Sequence, residues 1–531
     1  MAGPRRFVGR ARSVLSRWWL DGRLPESTEQ LLRGWARTRL RRARATPTHP
    51  PAHCSLHDLM HDLAGRVVTA LEAEGCTPFL YDADGWHLVL GLPVAERDAA
   101  VRALRRLADA EPWVLTWRRG HRTRMATLRG GPLPAPAQRA ERWLLHQPVT
   151  VGAGAVAGQQ EAVELTFWGP GEHGRLEQLG VRSLQRLPAT ARPTTEVVDG
   201  RSYPGTDAFP VGRALTRPDL PVDVVYTWVD GSDPEWRAAR ARWQAVERPH
   251  ERGDHADVEG RYRSRDELRY SLRSLWLFAG WVRRIYVVTS GQVPPWLVED
   301  ERLRVVPHAE ILPDDALPTF NSHAIESRLH HIDGLSEHFL YLNDDMFLGR
   351  RTTLGQFFTA NGLPRFFPSE AWVPLAEPGL PDLAVDTAAR NGRALIEERF
   401  GRVVERKLHH APYALRRSTL FEIDEAFGEV VRRTTRSRFR HPDDLSIPSA
   451  FAHHYGFATG RAVVGELSVG YQNLENRRLG LWLDRLLVER DYDAFCLNET
   501  ESDGATEAAD RRLAAFLEAY FPIPSPWESD R

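Results

Sequence analysis

The stretch with the clearest chemical potential is Asn343-Asp344-Asp345, which directly follows an apolar run at residues 339–342. The run has the composition of a strand buried inside a parallel sheet. Ligands of open α/β sheets bind just beyond the carboxyl ends of such strands. Two adjacent carboxylates there can hold a hard divalent cation, because such ions prefer oxygen ligands. Taken alone, the triplet is better explained as a solvated acidic turn after a strand.

Length and composition limit the class of protein. A chain of 531 residues is long enough for two or three domains, and a hydrophobic fraction of 42% is ordinary for a globular protein. The formal net charge of −1 argues against a general nucleic-acid binder. The cysteines Cys54, Cys76 and Cys496 are odd in number and widely spaced, so no disulfide framework or zinc pattern follows. We expect a reducing compartment and no nucleic-acid partner.

The first 48 residues are rich in arginine, with tryptophans among apolar residues. Basic amphipathic helices of this kind lie on anionic lipid, so residues 1–48 predict a peripheral membrane contact. A solvated helix packed on the body of the protein is the alternative. No apolar run approaches the roughly 20 residues of a spanning helix. The expected location is the cytoplasm, with the peripheral contact at the inner face of the membrane.

Residues 53–215 have the pattern of a small α/β domain of unknown role. The expected elements are helices at residues 56–74 and 95–110 and strands at 77–81 and 86–92. This part contains no catalytic constellation. The run rich in proline and threonine near residues 188–221 predicts a loop or domain boundary.

Strands and helices alternate from residue 221 onward, which predicts a catalytic domain at 221–505 and a C-terminal helix and tail at 506–531. The expected strands lie at residues 222–229, 284–289, 303–307 and 339–342, and the expected helix at 265–278. This alternation favours a mostly parallel, Rossmann-like sheet. The turn Asp230-Gly231-Ser232 after the first strand fits either a nucleotide pocket or a purely structural turn.

Four blocks of sequence follow one another in the second part of the chain: Val224 to Pro234, Arg265 to Phe347, Lys407 to Ser446, and Cys496-Leu497-Asn498-Glu499-Thr500. In this order they resemble the signature blocks of the Stealth family. That family contains sugar-1-phosphate transferases of bacterial capsule and wall polysaccharides and the catalytic subunit of the animal lysosomal-enzyme N-acetylglucosamine-1-phosphotransferase. Many relatives have aspartate where this chain has Glu499, whose carboxylate reaches one methylene further. The resemblance covers roughly residues 222–500.

The resemblance implies transfer of a sugar-1-phosphate from a nucleotide sugar, with a UDP-N-acetylglucosamine-like donor expected, to a hydroxyl of a glycan acceptor. The product is a phosphodiester, and a nucleoside monophosphate leaves. Phosphoryl transfer needs charge neutralisation and an aligned nucleophile, and Mg²⁺ or Mn²⁺ supplies much of the former. The alternatives are a metal-dependent glycosyltransferase that releases nucleoside diphosphate, and a non-catalytic carbohydrate or nucleotide binder, because fold does not separate these functions.

Site roles follow from the matched blocks. A histidine suits the general base, with His410 first and His323 second, and Arg440 suits the diphosphate or transition-state charge. The expected metal ligands are Asp344, Asp345, Asn498 and Glu499, and Asp345 is also expected to be catalytic. The expected donor-binding residues are Asp230, Gly231, Ser232, Arg265, Arg269 and Asn321. For the two helix arginines of that set, a surface ion pair is the alternative.

Overall fold

The computed structural model describes residues 55–83, 86–119, 122–128, 132–151, 155–157, 161–180, 185–246, 262–375, 384–476, 478–499 and 507–529. Residues 1–48, predicted to contact a membrane, lie outside these ranges, so that expectation stays a prediction. In the part of the chain that the structure describes, no helix is both long and apolar enough to cross a bilayer.

The first part of the chain forms a mixed sheet, here called the N-terminal sheet, with strand order β1-β2-β8-β5-β3-β4. Its helices are α1 (Leu56–Ala73), α2 (Arg97–Ala110) and α3 (Ala135–Gln138). The strands of this part are β1 (Phe79–Ala83), β2 (Leu88–Pro93), β3 (Trp113–Arg119), β4 (Arg122–Leu128), β5 (Arg142–His146), β6 (Val149–Val151), β7 (Ala155–Ala157), β8 (Val163–Pro170), β9 (Leu176–Gln178), β10 (Arg186–Leu187), β11 (Pro193–Val198) and β12 (Arg201–Thr206). The predicted helices and first hairpin are present with slightly shifted ends.

The segment predicted as a loop near residues 188–221 instead contains a regular hairpin, in which β11 pairs antiparallel with β12. The turn is Asp199-Gly200, and both residues have positive φ, at 50° and 76°. An Asp-Gly pair suits such a turn because its backbone twist matches that of the strands. Pro193 is tolerated because it is the first residue of its strand. The loop prediction was wrong because proline content was weighted above the turn signal.

The second part of the chain is built on a five-stranded sheet, the central sheet, with order β15-β14-β13-β16-β21. Its helices are α4 (Pro234–Val246), α5 (Glu267–Phe278), α6 (Ser322–Glu326), α7 (Leu354–Phe357), α8 (Ala384–Phe400), α9 (Arg417–Ala426), α10 (Gly428–Arg436), α11 (Ala452–Ala458), α12 (Leu479–Glu489) and α13 (Glu507–Tyr520). Its strands are β13 (Val222–Thr227), β14 (Val282–Thr289), β15 (Leu303–Pro307), β16 (His338–Asn343), β17 (Met346–Leu348), β18 (Arg365–Phe366), β19 (Pro368–Trp372), β20 (Arg406–Leu408), β21 (Tyr413–Arg416), β22 (Val463–Val464), β23 (Val469–Asn473) and β24 (Ala494–Asn498). The predicted α/β class is confirmed.

Strands β13 to β16 pair in parallel, whereas β21 closes the sheet antiparallel to β16. The parallel strands are apolar and largely buried because both faces of the sheet are covered. The chain builds outward from β13 through β14 to β15 and then returns to place β16 on the other side of β13. Such a reversal opens a crevice at the carboxyl ends of the two strands, here beside Thr227 and Asn343, which face each other in register.

The two sheets share one cluster of buried apolar residues. Polar contacts join them as well: Trp86 Nε1 donates to the carbonyl oxygen of Thr352 at 2.6 Å, and Arg351 pairs with Glu161 at 2.5 Å. The domain boundaries expected at 53–215, 221–505 and 506–531 therefore stay predictions.

Candidate active site

The acidic turn after β16 is brought next to the end of β24. Residues Asp344 and Asp345 turn the chain into β17, and β17 pairs antiparallel with β24, with Met346 opposite Cys496. The backbone N–H of Leu497 donates to the carbonyl oxygen of Asp345 at 3.2 Å. Two segments far apart in sequence, the acidic turn and the Cys496–Asn498 strand end, thus form one wall of the site.

Asp345 is held on one side and open on the other. Its Oδ2 accepts from the Asn498 amide at 2.9 Å and from the Cys496 thiol at 3.2 Å. Its Oδ1 lies 3.6 Å from His410 Nε2, and both of these buried atoms lack a hydrogen-bond partner. Burial would raise the pKa of Asp345, but the contacts with His410, Cys496 and Asn498 outweigh it and lower the pKa. The carboxylate is therefore ionised and presents a free oxygen.

The pKa of Asp344 is shifted in the opposite direction from that of Asp345. Burial, followed by the nearby carboxyl groups of Glu267 and Asp345, raises the pKa of Asp344 well above its usual range. Burial likewise raises the pKa of Glu267 to about 7. Among the described residues, no arginine, lysine or histidine forms an ion pair with Asp344. Burial and neighbouring carboxyl groups thus favour the protonated form of Asp344, and a bound divalent cation would favour its carboxylate.

His410 follows β20 and lies three residues before the tyrosine that begins β21. Its Nδ1 lies 3.1 Å from the hydroxyl oxygen of Tyr413. Burial, with a contribution from Glu326, raises the pKa of Tyr413 well above its usual range, so the phenol stays protonated. Tyr413 on β21 lies opposite Tyr341 on β16. Because His410 lies just before β21 and the acidic turn just after β16, this antiparallel pairing places His410 beside the acidic turn. Nε2 is thereby left facing Asp345.

Arg440 and His323 lie on another side of the same space. Arg440 donates to the Ser322 hydroxyl at 2.9 Å and pairs with no carboxylate among the described residues. His323 is buried, with Nδ1 3.6 Å from Asp444 Oδ2. Arg440 is therefore a cation available to an anionic ligand.

Asn321 supports this wall from behind. It is fully buried, and its Nδ2 donates to Asp444 Oδ2 at 2.8 Å and to the carbonyl oxygens of Ser437 and Phe439 at 2.9 and 3.2 Å. These bonds fix the loop that carries Arg440. Asn321 does not line the cavity.

Arg265 and Glu499 bind each other, with 2.8 Å between Nη2 and Oε2. Arg265 also contacts Asp510 at 2.7 Å, and Arg263 lies 3.8 Å from the Glu499 carboxylate. The charge of Glu499 is therefore compensated by protein cations, although its Oε1 is buried without a hydrogen-bond partner. Both Arg265 and Glu499 line the cavity.

Arg269 and the turn after β13 lie apart from the cavity lining. Arg269 pairs with Glu528 at 2.5 Å. Asp230 Oδ1 accepts from the backbone N–H and the hydroxyl of Ser232, at 2.8 and 2.6 Å. The N–H of Gly231 donates to the carbonyl oxygen of Tyr262, which approaches so closely that a Cβ on Gly231 would lie 2.4 Å from it. The glycine is thus required by a close backbone approach.

The cavity that these groups surround has a volume of about 780 Å³, a size typical of small-molecule sites. Of the predicted site residues, those that line it are Asp344, Asp345, His323, His410, Arg440, Arg265, Asn498 and Glu499. Those that do not are Asp230, Gly231, Ser232, Arg269 and Asn321. The first group comes from six separate segments of the chain. Its roles remain predictions, but its members share one cavity.

Sequence reasoning missed the contributions of Cys496, Tyr413 and Glu267 to this site. Cys496 could have been found, because it and Asn498 are two residues apart on one strand and therefore point to the same face. Glu267 had no such signal, since its effect on Asp344 depends on where α5 lies.

One group of side chains at this site has ligand atoms close enough together to hold a metal ion. The ligand atoms of Asp345, His410 and Cys496 all lie within 4.8 Å of one another. Asp344 adds a carboxylate beside this group, while the Asn498 amide donates to Asp345. The three residues of that group have ligand atoms close enough to share one ion, while the assignment of Asp344 and Asp345 as metal ligands stays a prediction.

Family models for four conserved regions of the Stealth proteins match the chain in order. Conserved region 1 matches residues 220–244, region 2 residues 261–366, region 3 residues 409–457 and region 4 residues 484–531. All residues of the cavity wall described above lie within these regions.

Several curated relatives share extended similarity with the chain. An exopolysaccharide phosphotransferase of Streptomyces coelicolor is 43% identical over 485 residues, covering 87% of this chain and 81% of the relative. Another from the same organism is 51% identical over 317 residues, covering 58% of this chain and 57% of the relative. The exopolysaccharide phosphotransferase CpsY of Mycobacterium tuberculosis is 42% identical over 386 residues, covering 70% of each chain. The first alignment extends well beyond the four conserved regions.

Proposed function

This chain belongs to the Stealth family, and we propose that it is a phosphotransferase of exopolysaccharide synthesis. It transfers a sugar-1-phosphate from a nucleotide sugar to a hydroxyl of a glycan acceptor and releases a nucleoside monophosphate. The relatives' names support the phosphotransferase activity, whereas the donor and the leaving group are part of the proposal.

The observation that carries this proposal is the pair formed by Asp345 Oδ1 and His410 Nε2. The two atoms face each other at 3.6 Å, are buried, and have no hydrogen-bond partner. A buried polar atom without a partner costs free energy, and two such atoms at one point indicate a site built for a third group. An acceptor hydroxyl bound there would meet both the base and the carboxylate.

The reaction then needs one proton transfer and one displacement. With the Nδ1 proton of His410 donated to the hydroxyl oxygen of Tyr413, the lone pair of Nε2 accepts the proton of the acceptor hydroxyl. The acceptor oxygen forms a bond to the phosphorus next to the sugar. The bond from that phosphorus to the bridging oxygen of the diphosphate breaks, and the nucleoside monophosphate leaves with the electron pair.

Arg440 supplies the positive charge for this step. A guanidinium can donate two parallel hydrogen bonds to phosphate oxygens, and Arg440 has no carboxylate competing for it among the described residues. The donor diphosphate therefore lies between Arg440 and the acidic turn.

The metal expected in this reaction is Mg²⁺ or Mn²⁺, held by Asp344 and Asp345. The raised pKa of Asp344, caused by burial and by neighbouring carboxyl groups, fits a position built to receive a cation. When bound, the ion neutralises charge on the diphosphate. Glu499 is a weaker candidate ligand than the sequence suggested, because Arg265 and Arg263 already compensate its charge.

A Rossmann-like donor site is part of the proposal. The reversal of strand order between β13 and β16 supports it, because nucleotides bind in such crevices. A UDP-N-acetylglucosamine-like donor remains the expected substrate.

The test is incubation of the purified chain with a panel of nucleotide sugars, a glycan acceptor and Mg²⁺, with the released nucleotide identified by mass spectrometry. Nucleoside monophosphate is the expected product. Release of nucleoside diphosphate would reject phosphoryl transfer in favour of glycosyl transfer.

A further inference from the structure

A second group of metal-ligating side chains lies in the N-terminal part of the chain, away from the cavity. His57 and His61 are four residues apart on α1, so they share one helix face. Asp199 reaches them from the turn between β11 and β12. Its Oδ2 lies 3.1 Å from His57 Nε2 and 3.4 Å from His61 Nε2. Three ligand atoms from α1 and the hairpin turn thus all lie within 4.8 Å of one another.

The group is buried on the side of His61 and open to water on the side of Asp199. The His61 side chain is 0% exposed, and its Nε2 has no hydrogen-bond partner although it lies 3.4 Å from Asp199 Oδ2. The Asp199 side chain is 35% exposed, so one side of the group is open to water.

Tyr203 orients the buried histidine. Its hydroxyl oxygen lies 2.5 Å from His61 Nδ1. When the Nδ1 proton is donated to this oxygen, Nε2 keeps the lone pair that a metal ion needs. Histidine ligands of metals commonly have their second nitrogen fixed in this way.

A similar group elsewhere provides a contrast. His330 and His331 also contact one carboxylate oxygen, Asp424 Oδ2, at 2.9 and 3.4 Å. There the guanidinium of Arg328 lies 2.9 Å from the same oxygen and supplies the cation. Among the described residues, no arginine or lysine contacts Asp199. The first group therefore lacks the cation that the second one has.

We propose that His57, His61 and Asp199 form a structural Zn²⁺ site. Two imidazole nitrogens and a carboxylate oxygen are a donor set that zinc accepts, with water completing the shell from the open side. In a tetrahedral shell with bonds of about 2.0 to 2.1 Å, ligand atoms lie about 3.3 Å apart. The observed distances of 3.1 and 3.4 Å match that spacing.

The position of the site defines its role. His57 packs edge-on against Trp86, with 5.2 Å between ring centroids, and Trp86 donates to the carbonyl oxygen of Thr352 beside the central sheet. Gly280, which precedes β14, approaches so closely that a Cβ there would lie 2.8 Å from His57 Cγ. An ion at this point fastens α1 and the β11–β12 hairpin together where the two sheets meet.

The test is equilibrium binding of ZnCl₂ to the full chain after removal of metals with a chelator. Two conservative variants at partly exposed ligands, Asp199→Asn and His57→Gln, are each expected to bind one Zn²⁺ per chain fewer than the wild type. Tyr203→Phe is expected to weaken zinc binding by about 10- to 100-fold. The matched control His331→Gln, in the group already neutralised by Arg328, is expected to bind as the wild type does.

Comparison between variants separates this site from the Asp345, His410 and Cys496 group, which all of these proteins retain. Zinc should also raise the melting temperature of the wild type and of His331→Gln but not that of Asp199→Asn. Equal zinc stoichiometry in the wild type, Asp199→Asn and His57→Gln would overturn the proposal, as would the absence of any zinc-dependent rise in melting temperature in the wild type. Neither result depends on the transferase activity.

Discussion

The carboxylate of Asp345 and the imidazole of His410 face each other across 3.6 Å, between Oδ1 and Nε2, and neither atom has a hydrogen-bond partner. The rest of the site is arranged around this pair. Asn498 and Cys496 hold the far oxygen of Asp345, and Tyr413 holds the far nitrogen of His410. Each side chain is thus fixed through its other polar atom, which leaves Asp345 Oδ1 and His410 Nε2 available.

The base role predicts the effect of His410→Gln. The amide occupies similar space but cannot accept a proton at neutral pH, so kcat should fall by roughly 10²- to 10⁴-fold with little change in donor affinity. Steady-state kinetics and donor binding by calorimetry check the two parts. The control is His409→Gln at the neighbouring histidine, which is expected to retain most activity; equal losses in both variants would contradict the assignment.

Because the Arg440 guanidinium pairs with no carboxylate among the described residues, Arg440→Lys is expected to lower turnover. A lysine keeps the charge but loses the two parallel hydrogen bonds, so turnover should fall by roughly 10²- to 10³-fold. Arg436→Ala removes an arginine of the nearby helix α10 that forms an exposed pair with Asp315, and should leave turnover unchanged. If Arg440→Lys were as active as Arg436→Ala, Arg440 would have no contact with the reacting phosphate.

How far the sequence predicted this site depends on the kind of contact. Asp344 and Asp345 could be placed at a strand end because an apolar run precedes them. Their proximity to His410 could not be predicted, because it depends on the antiparallel pairing of β21 with β16 at the edge of the sheet. The family blocks indicated that these residues act together but carried no geometry.

The same reasoning explains where the predicted roles and the observed contacts diverge. Asn321 occurs in a signature block, yet its side chain is used to fix the loop carrying Arg440. Arg265 and Glu499 come from two blocks and bind each other. A linear pattern marks which residues matter together, whereas the partner of each side chain is decided by packing.

The close approach at Gly231 predicts a stability contrast between two glycines. Gly231→Ala places a Cβ 2.4 Å from the Tyr262 carbonyl oxygen, so the turn must shift and the free energy of unfolding should fall by about 1 to 3 kcal/mol. Gly65→Ala lies on an exposed face of α1 with no atom near the new Cβ, and should raise the free energy of unfolding by about 0.5 to 1 kcal/mol. Denaturant unfolding measures both, and a neutral Gly231→Ala would contradict the contact.

Glu267 predicts how the stability of the metal-free protein changes with pH. Burial raises the pKa of Glu267 to about 7, from about 4.3 in an unfolded chain, so between these values the folded state binds more protons than the unfolded state. The free energy of unfolding should therefore fall as pH rises through this window, by an amount on the order of 3 kcal/mol. Glu267→Gln should reduce this slope, measured by denaturant unfolding in EDTA between pH 4.5 and 7.5, and leave the part of the same sign that the raised pKa of Asp344 contributes. A wild-type slope of opposite sign, or one unchanged by Glu267→Gln, would contradict the assignment.

The central claim concerns which bond of the donor breaks, and isotopic labelling measures that directly. A nucleotide sugar carrying ³²P only at the phosphorus next to the sugar is incubated with the enzyme, Mg²⁺ and a glycan acceptor, and the glycan is separated from free nucleotides. Sugar-1-phosphate transfer predicts that the label enters the glycan in wild-type enzyme and is lost from it in His410→Gln. Sugar in the glycan with all of the label left in nucleoside diphosphate would contradict the account.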